Sequence, residues 1–155
     1  MSSNETFEAD RGAPVYAEGE IEVAAPAQVV WDVVANVDKW PAWNPEISTV
    51  SLEGPIAEGT QFRWKAGRSK LVSIFRRVDP PHVVGWTGKT LGVPAIHVWR
   101  TEPTDSGTIL RTQESWSGLL AGLLKRKLQP MLEEALQKGL KATKAEAERR
   151  ARERG

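Results

Sequence analysis

The stretch WPAWNPEI, Trp40 to Ile47, decides how this chain folds. Trp40 and Trp43 stand three residues apart and therefore share one face of a helical turn. Asn44 precedes Pro45, which biases it out of the helical region, and a strand-like run starts at Ile47. A turn carrying two indoles needs a large concave surface to rest against, and the flanking sequence supplies one.

Upstream, residues 16–25 alternate, with Glu18, Glu20 and Glu22 on one phase and Ile21 and Val23 on the other, as in a half-buried strand. Pro26 suits the first turn of a helix. Val29, Val30, Trp31, Val33, Val34 and Val37 then make a dense apolar helix ending near Asn36. Asp38 is read as the N-cap of a short second helix, Lys39 to Trp43. Downstream, strands are expected over 47–53, 61–66, 70–78, 83–88, 95–102 and 108–117. The turns between them include Ala66-Gly67-Arg68, Asp79-Pro80-Pro81 and Thr104-Asp105-Ser106-Gly107. Such short turns imply an antiparallel meander with one face covered.

From Gly118 the period becomes helical, with Leu120, Leu124, Leu128, Leu132, Ala135, Leu136 and Gly139 along one stripe. Pro130 predicts a kink or break over 126–130, and Gly139 permits close approach to the sheet. The fold class is α+β: a curved antiparallel sheet of six or seven strands gripping a long C-terminal helix, with two short helices after the first strand. Residues 1–14 are expected to be a disordered lead-in, 15–144 the domain, and 145–155 a charged helical tail. That tail has no large apolar side chain, so it is expected to contribute little to stability.

Composition narrows the function classes. With 40% hydrophobic and 26% charged residues, this is a globular chain of 155 residues, long enough to bury a core. It has no cysteine, which excludes disulfides, thiol catalysis and cysteine-ligated metal. That fits a reducing compartment, and the N-terminus shows no apolar signal region, so a cytoplasmic location is expected. No apolar run approaches the ~20 residues that span a bilayer. The net charge of +1 conceals an asymmetry: residues 1–60 carry eleven acids and two bases, the remainder nine acids and nineteen bases. A basic surface for an anionic partner is one reading. The favoured one is an acidic first strand near a basic C-terminal half with a solvated tail.

The chain resembles the SRPBCC superfamily, the START or birch-allergen-like helix-grip fold, and within it the polyketide cyclase/dehydrase-like group. The resemblance runs from about Tyr16 to Lys144. It rests on A-P-A-Q-V-V-W-D-V-V at Ala25–Val34, W-P-A-W-N-P at Trp40–Pro45, H-V-W at His97–Trp99 and E-S-W-S-G at Glu114–Gly118. It implies an apolar cavity between the curved sheet and the long helix. Ligands vary across the family.

Strand alternation, independently of the resemblance, names the residues that face such a hollow. If Phe62 and Trp64 point inward, then so do Trp86, His97, Trp99, Thr112, Glu114 and Trp116, while the helix offers Leu128, Met131, Leu132 and Ala135. Trp43 joins them from the short helix. An aromatic-lined hollow with a few polar groups is the usual make-up of a small-molecule site; the competing reading is that the seven tryptophans fill a small core. His97 and Glu114 form the one candidate acid–base pair, against the alternative of a structural hydrogen bond between strands. His82 is read as a turn residue. Two histidines with fourteen residues between them and no cysteine make no zinc site, and no nucleotide motif is present. Arg63 and Lys65 alternate to the face opposite Trp64, which argues against a nucleic-acid stacking platform.

The leading expectation is a binding module for a hydrophobic, lipid-like or aromatic molecule, with no cofactor. The alternatives are a polyketide cyclase, aromatase or dehydratase using His97 and Glu114, or a chaperone-interaction role, since a related branch of the superfamily activates a heat-shock chaperone ATPase. Residues alone leave the ligand and the oligomeric state open.

Overall fold

A computed structural model describes residues 6–154. The elements follow the alternation and periodicity of the sequence. Strand β1 (Val15–Val23) leads into helix α1 (Ala27–Ala35), a 3-10 turn (Val37–Lys39) and α2 (Trp40–Trp43). Six strands follow: β2 (Ile47–Leu52), β3 (Gln61–Ala66), β4 (Ser69–Asp79), β5 (Val83–Thr90), β6 (Val93–Thr104) and β7 (Gly107–Trp116). Helices α3 (Leu119–Leu123) and α4 (Lys125–Arg154) close the chain.

All seven strands form one antiparallel sheet in the order β1-β7-β6-β5-β4-β3-β2, so the meander closes by laying β7 against β1. Its register puts Phe75, Trp86, His97, Glu114 and Ala17 in one cross-strand row on the concave face. Trp99, Thr112 and Gly19 form the next row. Helix α4 crosses this face near the β1 edge. Leu132 and Leu136 pack with Val15 and Ala17, while Leu140 joins the main core with Phe62, Phe75 and Trp86. At Gly139 a β-carbon would stand 3.4 Å from the Trp99 ring, in ordinary contact, so helix and sheet meet directly over that indole.

Four readings need correction. The second helix is not capped by Asp38: the turn starts as a 3-10 segment at Val37, and α2 has no side-chain cap. Pro130 does not break the long helix. The break falls earlier, at Leu124 between α3 and α4, and Pro130 lies within the first two turns of a continuous helix, where only one backbone donor is lost.

The expected lead-in is ordered from residue 6, with residues 1–5 outside the described residues. The N–H groups of Ala9 and Asp10 donate to Gln113 Oε1 and Ser115 Oγ at 2.9 and 3.0 Å on the convex face. Phe7 lies flat over Gly85, where a β-carbon would come within 2.7 Å of its ring. Gln113, Ser115 and Val98 would otherwise be bare on that face; instead they are buried.

The tail also packs. Ala147 is wholly buried in the core and Ala151 rests against it, because small side chains at i, i+4 let α4 lie close to α1. Glu148 accepts from Ala24 N–H at 2.8 Å, which together with Lys144 lowers its carboxyl pKa. Glu146 is held below the usual carboxylate range by Arg149, against the desolvation of its burial, with Arg150 assisting. Truncation after Thr143 should therefore cost about 2 kcal/mol or more, a fall in Tm of roughly 5 °C. An unchanged thermal melt would show that these contacts contribute nothing.

Candidate functional site

Between helix and sheet the packing is uneven along the strands. Toward the β6–β7 and β4–β5 turns the concave face is filled: Phe62, Phe75, Val84, Trp99 and Leu110 are buried, with α1 and α2 on top. Toward the β3–β4 and β5–β6 turns the concave residues Trp64, Ala66, Leu71, Gly88, Ala95 and Trp116 are only half-buried. Helix α4 mirrors this change. Ala135 lies on the same stripe one turn before Gly139, yet it is exposed, as is Met131 at 53%. A residue on the sheet-facing stripe stays exposed only where the sheet does not reach it. The concave face is thus least covered toward the end carrying Leu91, Gly118 and α3, where those half-buried residues form a shallow hollow beside the helix.

Every strand residue assigned inward by alternation lies on this face. Phe62 is fully buried and belongs to the floor's foundation. Trp64, Trp86, His97 and Trp99 form a chain of ring contacts with Trp40 and Phe62, at centroid distances of 5.1 to 6.5 Å. Thr112, Glu114 and Trp116 continue the floor on β7. On the helix the expected set divides: Leu132 is buried against β1, Leu128 is half-buried, and Met131 and Ala135 are exposed along the hollow's side. Trp43 is half-buried and lines a different space, an open cleft of about 780 Å3 bounded by Asp38, Lys39, Ala42, Glu146, Arg149 and Arg150. Sequence periodicity did not single out that cleft, because the tail helix that walls it was read as solvated. Its carboxylate, Glu146, is already engaged by Arg149 and Arg150 at 2.7 and 2.6 Å.

The polar floor is a linked chain. His97 Nδ1 stands 3.2 Å from Glu114 Oε1, and Trp116 Nε1–H donates to Glu114 Oε2 at 2.8 Å. His97 Nε2 is 2.9 Å from Thr112 Oγ1, whose hydroxyl can instead donate to Val98 O at 3.0 Å. With a neutral imidazole, Nδ1–H donates to the carboxylate and Nε2 accepts from Thr112. When the ring gains a proton, Nε2–H donates and the hydroxyl turns to Val98 O. The side chains of His97 and Glu114 keep 14% and 15% of their surface accessible, at the base of the hollow. Burial pushes the imidazole below its ordinary value of 6.5, and Glu114 opposes that shift.

Two indole donors have no such satisfaction. Trp99 Nε1 and Trp43 Nε1 are buried without a partner among the described residues. An unmet buried donor costs about 1–3 kcal/mol. Alternation placed Trp99 on the concave face, but its ring is covered there by α4 at Gly139, and an unmet N–H leaves no trace in sequence.

The family model for polyketide cyclase / dehydrase and lipid transport matches residues 15–148. No curated protein matches the sequence. The Zhui aromatase/cyclase from Streptomyces sp. R1128 superposes with a TM-score of 0.70 at 25% identity, over 87% of this chain and 94% of that one. The di-domain ARO/CYC BexL from the BE-7585A biosynthetic pathway gives 0.68 at 19% identity, over 90% of this chain but 51% of its own length. A hypothetical protein of Helicobacter pylori gives 0.78 at 14% identity, over 95% and 99%.

The low imidazole pKa has a measurable sign. Below about 6.5 the unfolded chain takes up a proton that the buried ring resists. The contribution is therefore complete above that pH and is lost as pH falls through the folded value. Between about pH 7.5 and about pH 5 the Tm of the wild type should drop further than that of His97→Asn. Equal drops would mean that the ring is not held neutral.

Proposed function

This chain belongs to the polyketide cyclase/dehydrase and lipid transport family, and on that premise we propose that it binds a hydrophobic small molecule in the hollow between sheet and helix. The observation that carries this reading is the wall chemistry. Half-buried Trp64, Leu71, Ala95, Trp116 and Leu128 supply apolar contact on the less covered part of the concave face. Both nitrogens of His97 and both oxygens of Glu114 already have partners. A ligand with a largely apolar body, such as an aromatic polyketide or a lipid, would use the wall that the site leaves uncovered.

A second reading is acid–base chemistry on such a ligand, as in a cyclase, aromatase or dehydratase. What favours it is the organised His97–Glu114 pair with Thr112 at the distal nitrogen, an arrangement in which a carboxylate orients an imidazole for proton transfer. The fold shared with the Zhui and BexL aromatase/cyclases supports it as well. A chaperone-interaction role has no observation in its favour.

Titration with aromatic polyketides, sterols and fatty acids, followed by tryptophan fluorescence, tests the first reading: a saturable shift is expected from at least one class. For any ligand found, Trp64→Ala should weaken binding by roughly fivefold or more, about 1 kcal/mol, because an indole wall supplies contact area that alanine cannot. Absence of any shift across the three classes would refute ligand binding in the hollow. His97→Ala then separates the two readings. A binding protein should keep most of its affinity, whereas an enzyme should lose about 10²-fold or more in turnover while still binding.

A further inference from the structure

The open end of the hollow carries side chains that folding does not explain. Helix α3 and the residue after it expose Leu119 at 81%, Leu123 at 72%, and Leu120 and Leu124 less fully. Only Ala121 of α3 is buried, against Val93, Val15 and Leu132. Two residues before Val93, at the tip of the β5–β6 turn, Leu91 is 84% exposed with φ 51°. The left-handed region suits glycine, asparagine or aspartate at that turn position. A bare leucine there pays a backbone penalty without any packing in return. Met131, about two helical turns past the break, is exposed as well.

Charge at this end also runs against local stability. Lys125, Arg126 and Lys127 occupy the first turn of α4, where the helix dipole disfavours cations, and that turn holds no acid. Arg68, Lys70 and Lys89 stand on the two neighbouring turns, which Thr90 Oγ1 ties together by donating to Lys70 O at 2.9 Å. Among the described residues none of these six cations is in an ion pair, whereas eight of the other fifteen lysines and arginines are. The nearest acids include Glu133 and Glu134, just past Met131 on α4, which are engaged by Gln129 and Lys138 at 2.9 and 3.1 Å. Glu46 stands beside the β3–β4 turn, where its carbonyl accepts from Gly67 N–H at 2.9 Å, and Asp10 lies on the convex strap.

We propose that this end, Leu91 with α3 and the start of α4, docks the protein onto an anionic lipid bilayer surface, the leucines entering the interface and the surrounding cations meeting the headgroups. An exposed apolar ridge bordered by cations is the arrangement that such surfaces retain. A bare apolar ridge would suit a second copy of this chain equally well, but six unpaired cations around it would repel their counterparts across a symmetric contact. No helix among the described residues is long and apolar enough to cross a membrane, so the attachment is peripheral. The proposal concerns the ligand-free protein and stands whether or not the hollow takes a ligand; if it does, the mouth opens toward the bilayer.

Flotation of the full chain with phosphatidylcholine vesicles, with and without about 30% phosphatidylglycerol, is the direct test. Binding to the anionic vesicles is expected to be about tenfold or more tighter than to the neutral ones, and to weaken from about 0.05 M to about 0.3 M salt. Leu119→Ser/Leu123→Ser should lower partition by about tenfold or more, with an unchanged thermal melt because both positions are exposed. Lys125→Ser/Arg126→Ser/Lys127→Ser should remove most of the salt dependence. Failure to float with anionic vesicles at low salt would overturn the proposal, as would wild-type partition by the leucine variant. So would light scattering showing a dimer that the leucine substitutions dissociate, since the ridge would then be covered by a second copy. Because the tryptophan titration uses no vesicles, a negative result in one experiment leaves the other standing.

Discussion

The placement of one indole governs the rest of the molecule. Trp40 donates its N–H to Val34 O at 3.0 Å, which ties the short second helix back onto α1. Its ring lies edge-on to Phe62 and Trp64 and tilted against Trp86, with centroids 5.1 to 6.0 Å away. A buried indole needs both a partner for its nitrogen and apolar area for its ring, and only the junction of α1 with strands β3 and β5 offers both. With Trp40 there, α1 and α2 must cover one half of the concave face. The long helix, held to β1 by Leu132 and Leu136, then spans the other half without filling it.

That constraint explains what the chain reveals before it is folded. Period-two alternation and short turns set strand phase independently of tertiary detail, so Phe62, Trp64, Trp86, His97, Trp99, Thr112, Glu114 and Trp116 could be assigned to one face. Cross-strand register keeps that phase from β3 to β7, since the irregularity at Phe75/Arg77 on β4 returns the chain to the same side. What escaped were features carried by small or polar groups. The tail buries alanines, which give no hydrophobic signal of their own. The strap over the convex face is held by backbone N–H groups donating to Gln113 and Ser115, and no propensity encodes such bonds. On the helix, a 3.6-residue stripe cannot distinguish Leu132 against β1 from Ala135 over an open hollow, because periodicity reports which way a residue points and not how far away its partner lies.

The polar floor raises an energetic question that packing alone does not answer. Replacing a buried ion or imidazole–carboxylate pair with apolar residues is often neutral or stabilising, and the surrounding rings would accept that change. Glu114 keeps its place through two bonds, from His97 and from Trp116, so the desolvation cost is offset without being turned into a gain. Thr112 adds a hydroxyl with two alternative acceptors, which gives the imidazole a partner in either protonation state. A chain of groups that tolerates a proton arriving or leaving exceeds what holding two strands together requires, since the ladder between β6 and β7 already does that along ten paired positions.

The charge asymmetry of the sequence acquires a spatial meaning once the strands are paired. In an antiparallel meander alternate turns gather at opposite ends. Glu53, Glu58, Asp79 and Asp105 fall at the end closed by α1 and α2, whereas Arg68, Lys89 and the Lys125–Lys127 run fall at the end where the hollow opens. The excess of bases after residue 60 is therefore not dissipated along a solvated tail, whose arginines and lysines largely pair with Glu146, Glu148 and Glu153. Arg68, Lys70, Lys89 and the Lys125–Lys127 run, none of them in an ion pair among the described residues, gather at the end where the concave face is least covered.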